Sequence, residues 1–204
     1  MRARRNQPGH SGQVTPKRGF LRQYIGDKDV GALHPSSRFL VRRLLRCLDT
    51  ARIKTLVEFG PGPGIATRLV LEALPPDARY IAIEKNPAFL AALRTSIQDR
   101  RLVALEGDAR SAAHLLLDRG VTTADAIIAS IPFSFLSRDE RAELVGSVHS
   151  LLAEEGDFVI FHQFSTMMRA CLESRFPYVD VQFEPRNIFP CFLIHSRKKA
   201  PPRA

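Results

Sequence analysis

From Thr55 onward, short apolar runs alternate with stretches whose apolar residues fall at helical spacing. Leu56 and Val57 open a run over about 55–59 that reads as a buried strand. Ile65 to Leu74 then carry apolar residues at helical period until Pro75 and Pro76 stop them. Further strands are predicted at Tyr80–Glu84, Leu102–Glu106, Asp125–Ser130 and Phe158–His162. Helices are predicted after Pro87 and over about 109–118, 138–152 and 165–175. Such alternation predicts an α/β fold, a parallel sheet with helices on both faces. Two last strands, about 179–184 and 191–195, are joined only by Pro185 to Pro190. So short a link cannot make a parallel crossover, and the pair is predicted as an antiparallel hairpin. The expected sheet is mostly parallel and seven-stranded.

Upstream of Thr55 the pattern changes. Residues 1–14 are polar, basic and rich in Gly, Pro, Gln and Ser, which predicts a disordered tail. Lys17 to Ile25 places Phe20, Leu21, Tyr24 and Ile25 on one side of a short helix, with Arg18 and Arg22 towards the other. After a loop at Gly31–Pro35, Ser36 or Ser37 caps a second helix running to about Leu48. Its apolar Leu40, Val41, Leu44, Leu45 and Leu48 are interleaved with Arg38, Arg42, Arg43 and Arg46. Basic amphipathic segments of this kind lie on membrane surfaces. The second helix is expected to pack its apolar stripe on the domain, which leaves the first as the membrane candidate. The expected division is a tail over 1–14, basic amphipathic helices over 15–50 serving membrane association or as a lid, the α/β domain over 51–197, and a frayed tail over 198–204.

Charge sharpens this division. The chain of 204 residues carries a formal net charge of +9. Residues 1–54 hold thirteen bases and three acids, leaving seventeen bases and eighteen acids for the rest. A nearly neutral domain with a basic appendage points to an anionic partner surface, nucleic acid or acidic lipid. The apolar fraction of 45% is that of a globular protein. No apolar run reaches membrane-spanning length and no signal-peptide pattern opens the chain. Cys47, Cys171 and Cys191 are scattered without metal-ligand spacing, as expected of thiols in a reducing compartment, and no metal site is expected.

The chemistry concentrates after the first strand, in Glu58-Phe-Gly60-Pro61-Gly62-Pro-Gly64. Glycines at alternate positions let the loop turn tightly and bring a ligand against bare backbone. A dinucleotide fingerprint would space its third glycine one residue later. An acid inside the strand end would repel a pyrophosphate and suit a ligand carrying an ammonium group. The pattern Glu58-x-Gly60-x-Gly62-x-Gly64 resembles motif I of the class I S-adenosylmethionine (SAM) methyltransferases. That resemblance implies the Rossmann-like fold of the family, SAM as cofactor and S-adenosylhomocysteine as product. Glu84, with Lys85 beside it, closes the second strand twenty residues after Gly64, where an acid accepts both ribose hydroxyls. Asp108, in Glu106-Gly107-Asp108, stands where an acid accepts from the adenine amine and Ala109 offers its N–H to the ring; Asp108 is also placed to cap the next helix. Ser130-Ile131-Pro132-Phe133 follows the fourth strand, where these enzymes keep the motif next to the transferable methyl. The rRNA adenine dimethyltransferases carry Asn-Leu-Pro-Tyr there. This chain has Ser for the amide, and Phe133, Phe135 and Leu136 make the pocket greasy.

Most of the chain resembles the bacterial phospholipid N-methyltransferases, the type that methylates phosphatidylethanolamine. The basic helix, the segment Val30 to Arg38, motif I, Glu84, Asp108, the Ser-x-Pro stretch and Arg186-Asn187-Ile-Phe-Pro190 carry the likeness. Departures are Phe133 and Phe135, where the family is often leucine-rich, and His162-Gln163 in place of a more usual Thr/Tyr pair. The resemblance implies successive methylation of the lipid amine to phosphatidylcholine. His162 is the candidate base, Tyr24 the amine positioner, and Ile131, Pro132, Phe133, Phe135, Arg186 and Asn187 the substrate contacts, with Arg186 facing the lipid phosphate. The expectation is a monomeric cytoplasmic protein on the inner face of the membrane, held there by its N-terminal helix and not by nucleic acid. The alternative is an RNA methyltransferase of the rRNA adenine type.

Overall fold

The computed structural model describes residues 37–200 except 164 and 188. The expected tail over 1–14, the helix at 17–25 with Tyr24, and residues 201–204 lie outside the described residues.

Helix α1 (Arg38–Cys47) precedes β1 (Thr55–Phe59), α2 (Ile65–Ala73), β2 (Arg79–Glu84), α3 (Pro87–Ser96) and β3 (Leu102–Glu106). Then come α4 (Ala112–Leu117), β4 (Ala124–Ala129), α5 (Arg138–Leu151), β5 (Leu152–Gln163), α6 (Arg169–Glu173), β6 (Tyr178–Glu184) and β7 (Cys191–Arg197). The strands form one seven-stranded sheet in the order β3-β2-β1-β4-β5-β7-β6. The first five are parallel, and β7 pairs antiparallel with β5 on one side and β6 on the other. The strand latest in the chain is thus interior to the sheet, and β6 takes the edge.

Each strand of the central sheet is buried on both sides, so alternate residues feed two cores. Val57, Phe59, Ile127, Ile160 and Ile194 face α4, α5 and α6. Leu56, Ala126, Val159 and Leu193 face α1, α2 and α3. Helix α1 adds Leu40, Val41 and Leu44 to the second core, and its C-cap Leu48 joins them, each under 7% exposed. Burying side chains of this size contributes roughly 1.5–3 kcal/mol apiece, so α1 packs its apolar stripe on the domain as expected. No described helix is long and apolar enough to cross a membrane.

Local chemistry fixes the helix starts. Ser37 caps α1, Asn86 caps α3 ahead of Pro87, and Ser137 with Glu140 makes a reciprocal capping box at α5. Helices α2, α4 and α6 start without a side-chain cap, and α2 is preceded by Gly64 at φ +88°.

The structure departs from the pattern in three places. The helix expected over 165–175 is only Arg169–Glu173. The one expected over 109–118 begins as a 3-10 turn, Ala109–Ser111, before α4. Strand β5 starts at Leu152 rather than Phe158, with a register shift between the pairs Ala124–Leu152 and Ala126–Asp157. Glu154 and Glu155 point to solvent in that irregular stretch, which hides it from an apolar count.

The hairpin tip is tied to α1. The Ser37 N–H donates to Asn187 Oδ1 at 2.8 Å, and Asn187 Nδ2 donates to the Phe189 carbonyl at 3.1 Å. Glu184, with no exposed surface, accepts from Arg186 through both carboxylate oxygens and from Arg43 of α1 at 3.2 Å. The Arg186 guanidinium beside it holds the Glu184 carboxyl down at about 2.

Candidate functional site

The carboxyl ends of the parallel strands bring the glycine loop, Glu84, Asp108, Ser130 and His162 to one edge of the sheet, where open α/β sheets bind ligands. The loop leaves β1 with Gly60 N–H bonded to the Ile83 carbonyl at 2.9 Å, while Ser130 N–H reaches the Phe59 carbonyl at 2.9 Å. Gly60, Gly62 and Gly64 all take positive φ, at 70°, 56° and 88°. Space demands glycine as well at two of them. A Cβ on Gly60 would lie 2.9 Å from Ile131 Cγ2 and 3.0 Å from the Ser130 carbonyl oxygen, and one on Gly64 would lie 2.4 Å from Leu93 Cδ1. Buried Pro61 closes the turn through its carbonyl, which accepts from Gly64 N–H at 3.1 Å.

Glu84 is 7% exposed and ties the loop to β2. Its Oε2 accepts from Gly62 N–H at 3.0 Å and its Oε1 from Asn86 N–H at 2.8 Å. Burial raises its pKa against the help of these donors. Lys85 is largely exposed and sits 3.4 Å from the Asp108 carboxylate. Asp108 takes the capping role: it accepts from Arg110 N–H at 3.0 Å and pairs with the Arg110 guanidinium through both oxygens. Arg110 therefore holds its carboxyl well below the usual range. Gly107 N–H bonds the Glu84 carbonyl at 3.0 Å, and a Cβ there would meet Leu115 at 2.4 Å. Ala109 is buried at the start of the 3-10 turn.

Four sequence assignments land elsewhere. Glu58 was expected to face a ligand ammonium. Strand alternation instead turns it beneath the loop, 1% exposed, where its Oε2 accepts from Thr67 at 2.6 Å and Tyr80 at 2.8 Å. Burial pushes its carboxyl up to about 7 despite those donors, with nearby Glu84 adding to the rise. Phe133 was expected to stack on substrate but is wholly buried in the core. Arg186 and Asn187 were expected to meet the lipid and are committed to Glu184 and to Ser37.

The Ser130-x-Pro stretch folds into successive turns. Phe133 N–H bonds the Ile131 carbonyl at 2.9 Å around Pro132, whose φ −78° and ψ 78° make an inverse γ-turn. A 3-10 turn at Phe133–Phe135 follows, sending Phe133 inward and leaving Phe135 63% exposed. Ile131 is half-buried against the core.

His162 ends β5 beside Phe133, with ring centroids 6.2 Å apart. Its Nδ1 lies 2.9 Å from the Gln163 carbonyl oxygen. A carbonyl only accepts, so Nδ1 carries the proton and Nε2 carries the lone pair of the neutral ring. Burial depresses the His162 pKa below its ordinary value, outweighing the carbonyls of Gln163 and Ser165, and Arg141 lowers it further. The neutral, proton-accepting form is favoured at neutral pH. Gln163 Oε1, next along the strand, is buried with no hydrogen-bond partner among the described residues. Among the described residues no group of three or more His, Cys, Asp and Glu is placed to hold a metal ion.

The sequence reading missed Thr67, Tyr80 and Glu184. Thr67 and Tyr80 are an unremarked hydroxyl on α2 and an aromatic inside β2, and only the fold brings them to Glu58. Glu184 closes a strand as Glu84 does, and strand-end position was a signal that could have found it.

The loop fits a nucleoside held by backbone: three left-handed glycines, an uncapped helix start and a buried acid at the end of β2. The likeness to known proteins agrees. Residues 57–158 match the family described as methyltransferase domain. The chain is 29% identical over 162 residues to the ornithine lipid N-methyltransferase of Singulisphaera acidiphila, covering 79% of this chain and 84% of that protein. It is 28% identical over 172 residues to ribosomal RNA small subunit methyltransferase A of Acidithiobacillus ferrooxidans, covering 77% of this chain and 61% of that protein. The crystal structure of N-methyltransferase NodS from Bradyrhizobium japonicum with S-adenosyl-L-homocysteine superimposes with a TM-score of 0.67 at 15% identity, over 89% of this chain and 98% of that one. With motif I seated between β1 and α2 and the sheet in this order, the chain belongs to the methyltransferase domain family and is a class I SAM-dependent methyltransferase.

Proposed function

We propose that this methyltransferase acts on the primary amine of a membrane lipid, with phosphatidylethanolamine as the headgroup and its mono-, di- and trimethylated forms as products. The observation that carries the reading is His162: a neutral ring with its proton fixed on Nδ1 and a lone pair on Nε2, at the edge that holds the glycine loop. An ammonium group must lose a proton before it is a nucleophile, and Nε2 is a base of suitable strength. Lipid as the substrate class is supported by the ornithine lipid N-methyltransferase, which aligns over most of both chains.

SAM, when bound, supplies a methyl group on a sulfonium sulfur that an amine lone pair can attack. The chain's own residues do the rest. Glu84 accepts ribose hydroxyls, the glycine loop and the start of α2 offer bare backbone, and Asp108 with Ala109 borders the base. The apolar shell of Phe133 and Ile131 excludes water and favours the neutral amine. Orientation in a dry pocket is the main catalytic contribution. Tyr24 remains the proposed amine positioner, on a membrane-associated N-terminal helix.

The rRNA methyltransferase relative favours a second reading, methylation of an RNA adenine. The test is transfer of labelled methyl from SAM to phosphatidylethanolamine, to ornithine lipid and to small-subunit rRNA, each offered separately to the full chain. Label in phosphatidylethanolamine is expected; label only in ornithine lipid shifts the headgroup, and label only in RNA overturns the lipid reading.

A further inference from the structure

Four large apolar side chains of the described residues are markedly exposed: Ile65, Leu117, Phe135 and Phe183. Three of them lie along the carboxyl edge of the sheet, the edge that holds the site. Ile65 opens α2 immediately after the glycine loop, Phe135 ends the turn after β4, and Phe183 is the next-to-last residue of β6. Phe183 pairs in register with Phe192, which pairs with His162, so an aromatic row runs from the candidate base to the sheet's outer edge. The two phenylalanine rings lie 5.1 Å apart. Only Leu117, at the far end of α4, sits at the opposite edge.

A second feature meets this edge. Arg38, Arg42 and Arg46 are exposed at four-residue spacing and form one ridge along α1, a helix without an acid. Because Ser37 is tied to the hairpin tip, the ridge starts at this edge and recedes from it by about 6 Å per step. At the near end the Arg38 and Arg186 guanidinium groups lie 5.2 Å and 4.5 Å from the Phe39 ring centroid.

Taking the lipid reading above as its basis, we propose that the carboxyl edge of the sheet is itself a docking face for an anionic bilayer. Ile65, Phe135 and Phe183 enter the interface along that edge, and Arg38 meets lipid phosphate. A polar rim would suffice for a soluble substrate; an edge lined by apolar side chains beside Arg38, which has no acidic partner among the described residues, complements a surface that is anionic outside and hydrocarbon beneath. The folded domain then sets its own orientation, with β-strands end-on to the membrane, independently of residues 1–36.

The chain contains no tryptophan, so Phe183→Trp creates a single reporter with little change in shape. The full-length variant is mixed with vesicles of phosphatidylethanolamine and phosphatidylglycerol whose acyl chains carry bromine. Quenching of its emission is expected; sedimentation with the vesicles without quenching overturns the proposal. Emission that shifts with protein concentration alone marks a contact between copies and also overturns it. End-on docking further predicts a graded series: Arg38→Gln weakens vesicle binding about fivefold, Arg42→Gln less and Arg46→Gln little. Equal losses along the ridge would mean that α1 lies flat. Unchanged binding in all three, with complete loss on deletion of 1–36, would place membrane contact outside this face. Stronger loss of rRNA binding than of vesicle binding in Arg38→Gln overturns it in favour of nucleic acid. Methylation of phosphatidylethanolamine in detergent micelles by the unaltered chain tests the enzymatic reading separately, because it needs no bilayer.

Discussion

Replacing Glu58 by Gln isolates a buried charge beneath the glycine loop. The carboxyl is 1% exposed, and its folded pKa rises from an ordinary 4.5 to about 7, chiefly through burial. One pH unit of displacement is worth about 1.4 kcal/mol, so the full displacement amounts to roughly 3 kcal/mol. Because the folded state binds the proton more tightly than the unfolded chain, stability is highest below pH 4.5 and falls as pH climbs towards 7 and just above. Gln keeps an acceptor oxygen for Thr67 and Tyr80 but cannot ionise. The wild-type chain should therefore lose about 3 kcal/mol relative to Glu58→Gln between pH 4.5 and pH 8, the two curves converging in shape at the acid end. Urea denaturation followed by far-ultraviolet circular dichroism at four or five pH values measures this difference, since without tryptophan the usual fluorescence probe is absent. Titrating groups not coupled to Glu58 act equally on both proteins and drop out of the comparison; the contribution of Glu84 to the rise is part of the measured difference. Parallel curves across the range would mean that Glu58 is already ionised in the fold, and the strut between β1, α2 and β2 would have to be reconsidered.

Two further outcomes follow from the site. Gly60→Ala places a Cβ 3.0 Å from a backbone carbonyl that cannot swing away, at φ +70°; with about 1–2 kcal/mol for the left-handed backbone alone, affinity for S-adenosylhomocysteine by calorimetry should fall tenfold or more, and unchanged affinity would contradict the cradle. His162→Asn should lower kcat by about 10²- to 10⁴-fold, and it should abolish an acid limb that in the wild type lies below the ordinary histidine pKa, because burial depresses this ring; an acid limb surviving in the variant assigns the base elsewhere.

The order of strands and the place of the cofactor loop were legible because both rest on short-range signals: period, glycine spacing, and an acid twenty residues on. What misled were residues whose partners lie far along the chain. Glu58 reads as a ligand because it adjoins the glycines, yet Thr67 and Tyr80 claim it once α2 and β2 fold over β1. Arg186 and Asn187 read as substrate contacts through the family resemblance, while Arg43 and Ser37, more than a hundred residues away, reveal them as part of a clasp on α1. Phe133 and Phe135 are indistinguishable by type, and a 3-10 turn alone decides which is core and which is surface.

The interior position of β7 has a consequence for biosynthesis. During translation β5 and β6 emerge before the strand that joins them, so the Val159-Ile-Phe161 stretch of β5 waits with an open ladder on one side. Until Cys191–Arg197 clears the ribosome, that ladder is a template for pairing with another nascent chain. A stalled or truncated product ending before Cys191 should therefore aggregate rather than fold into a smaller domain, and rescue by a separately supplied 191–197 peptide would be an unusually direct readout of sheet completion.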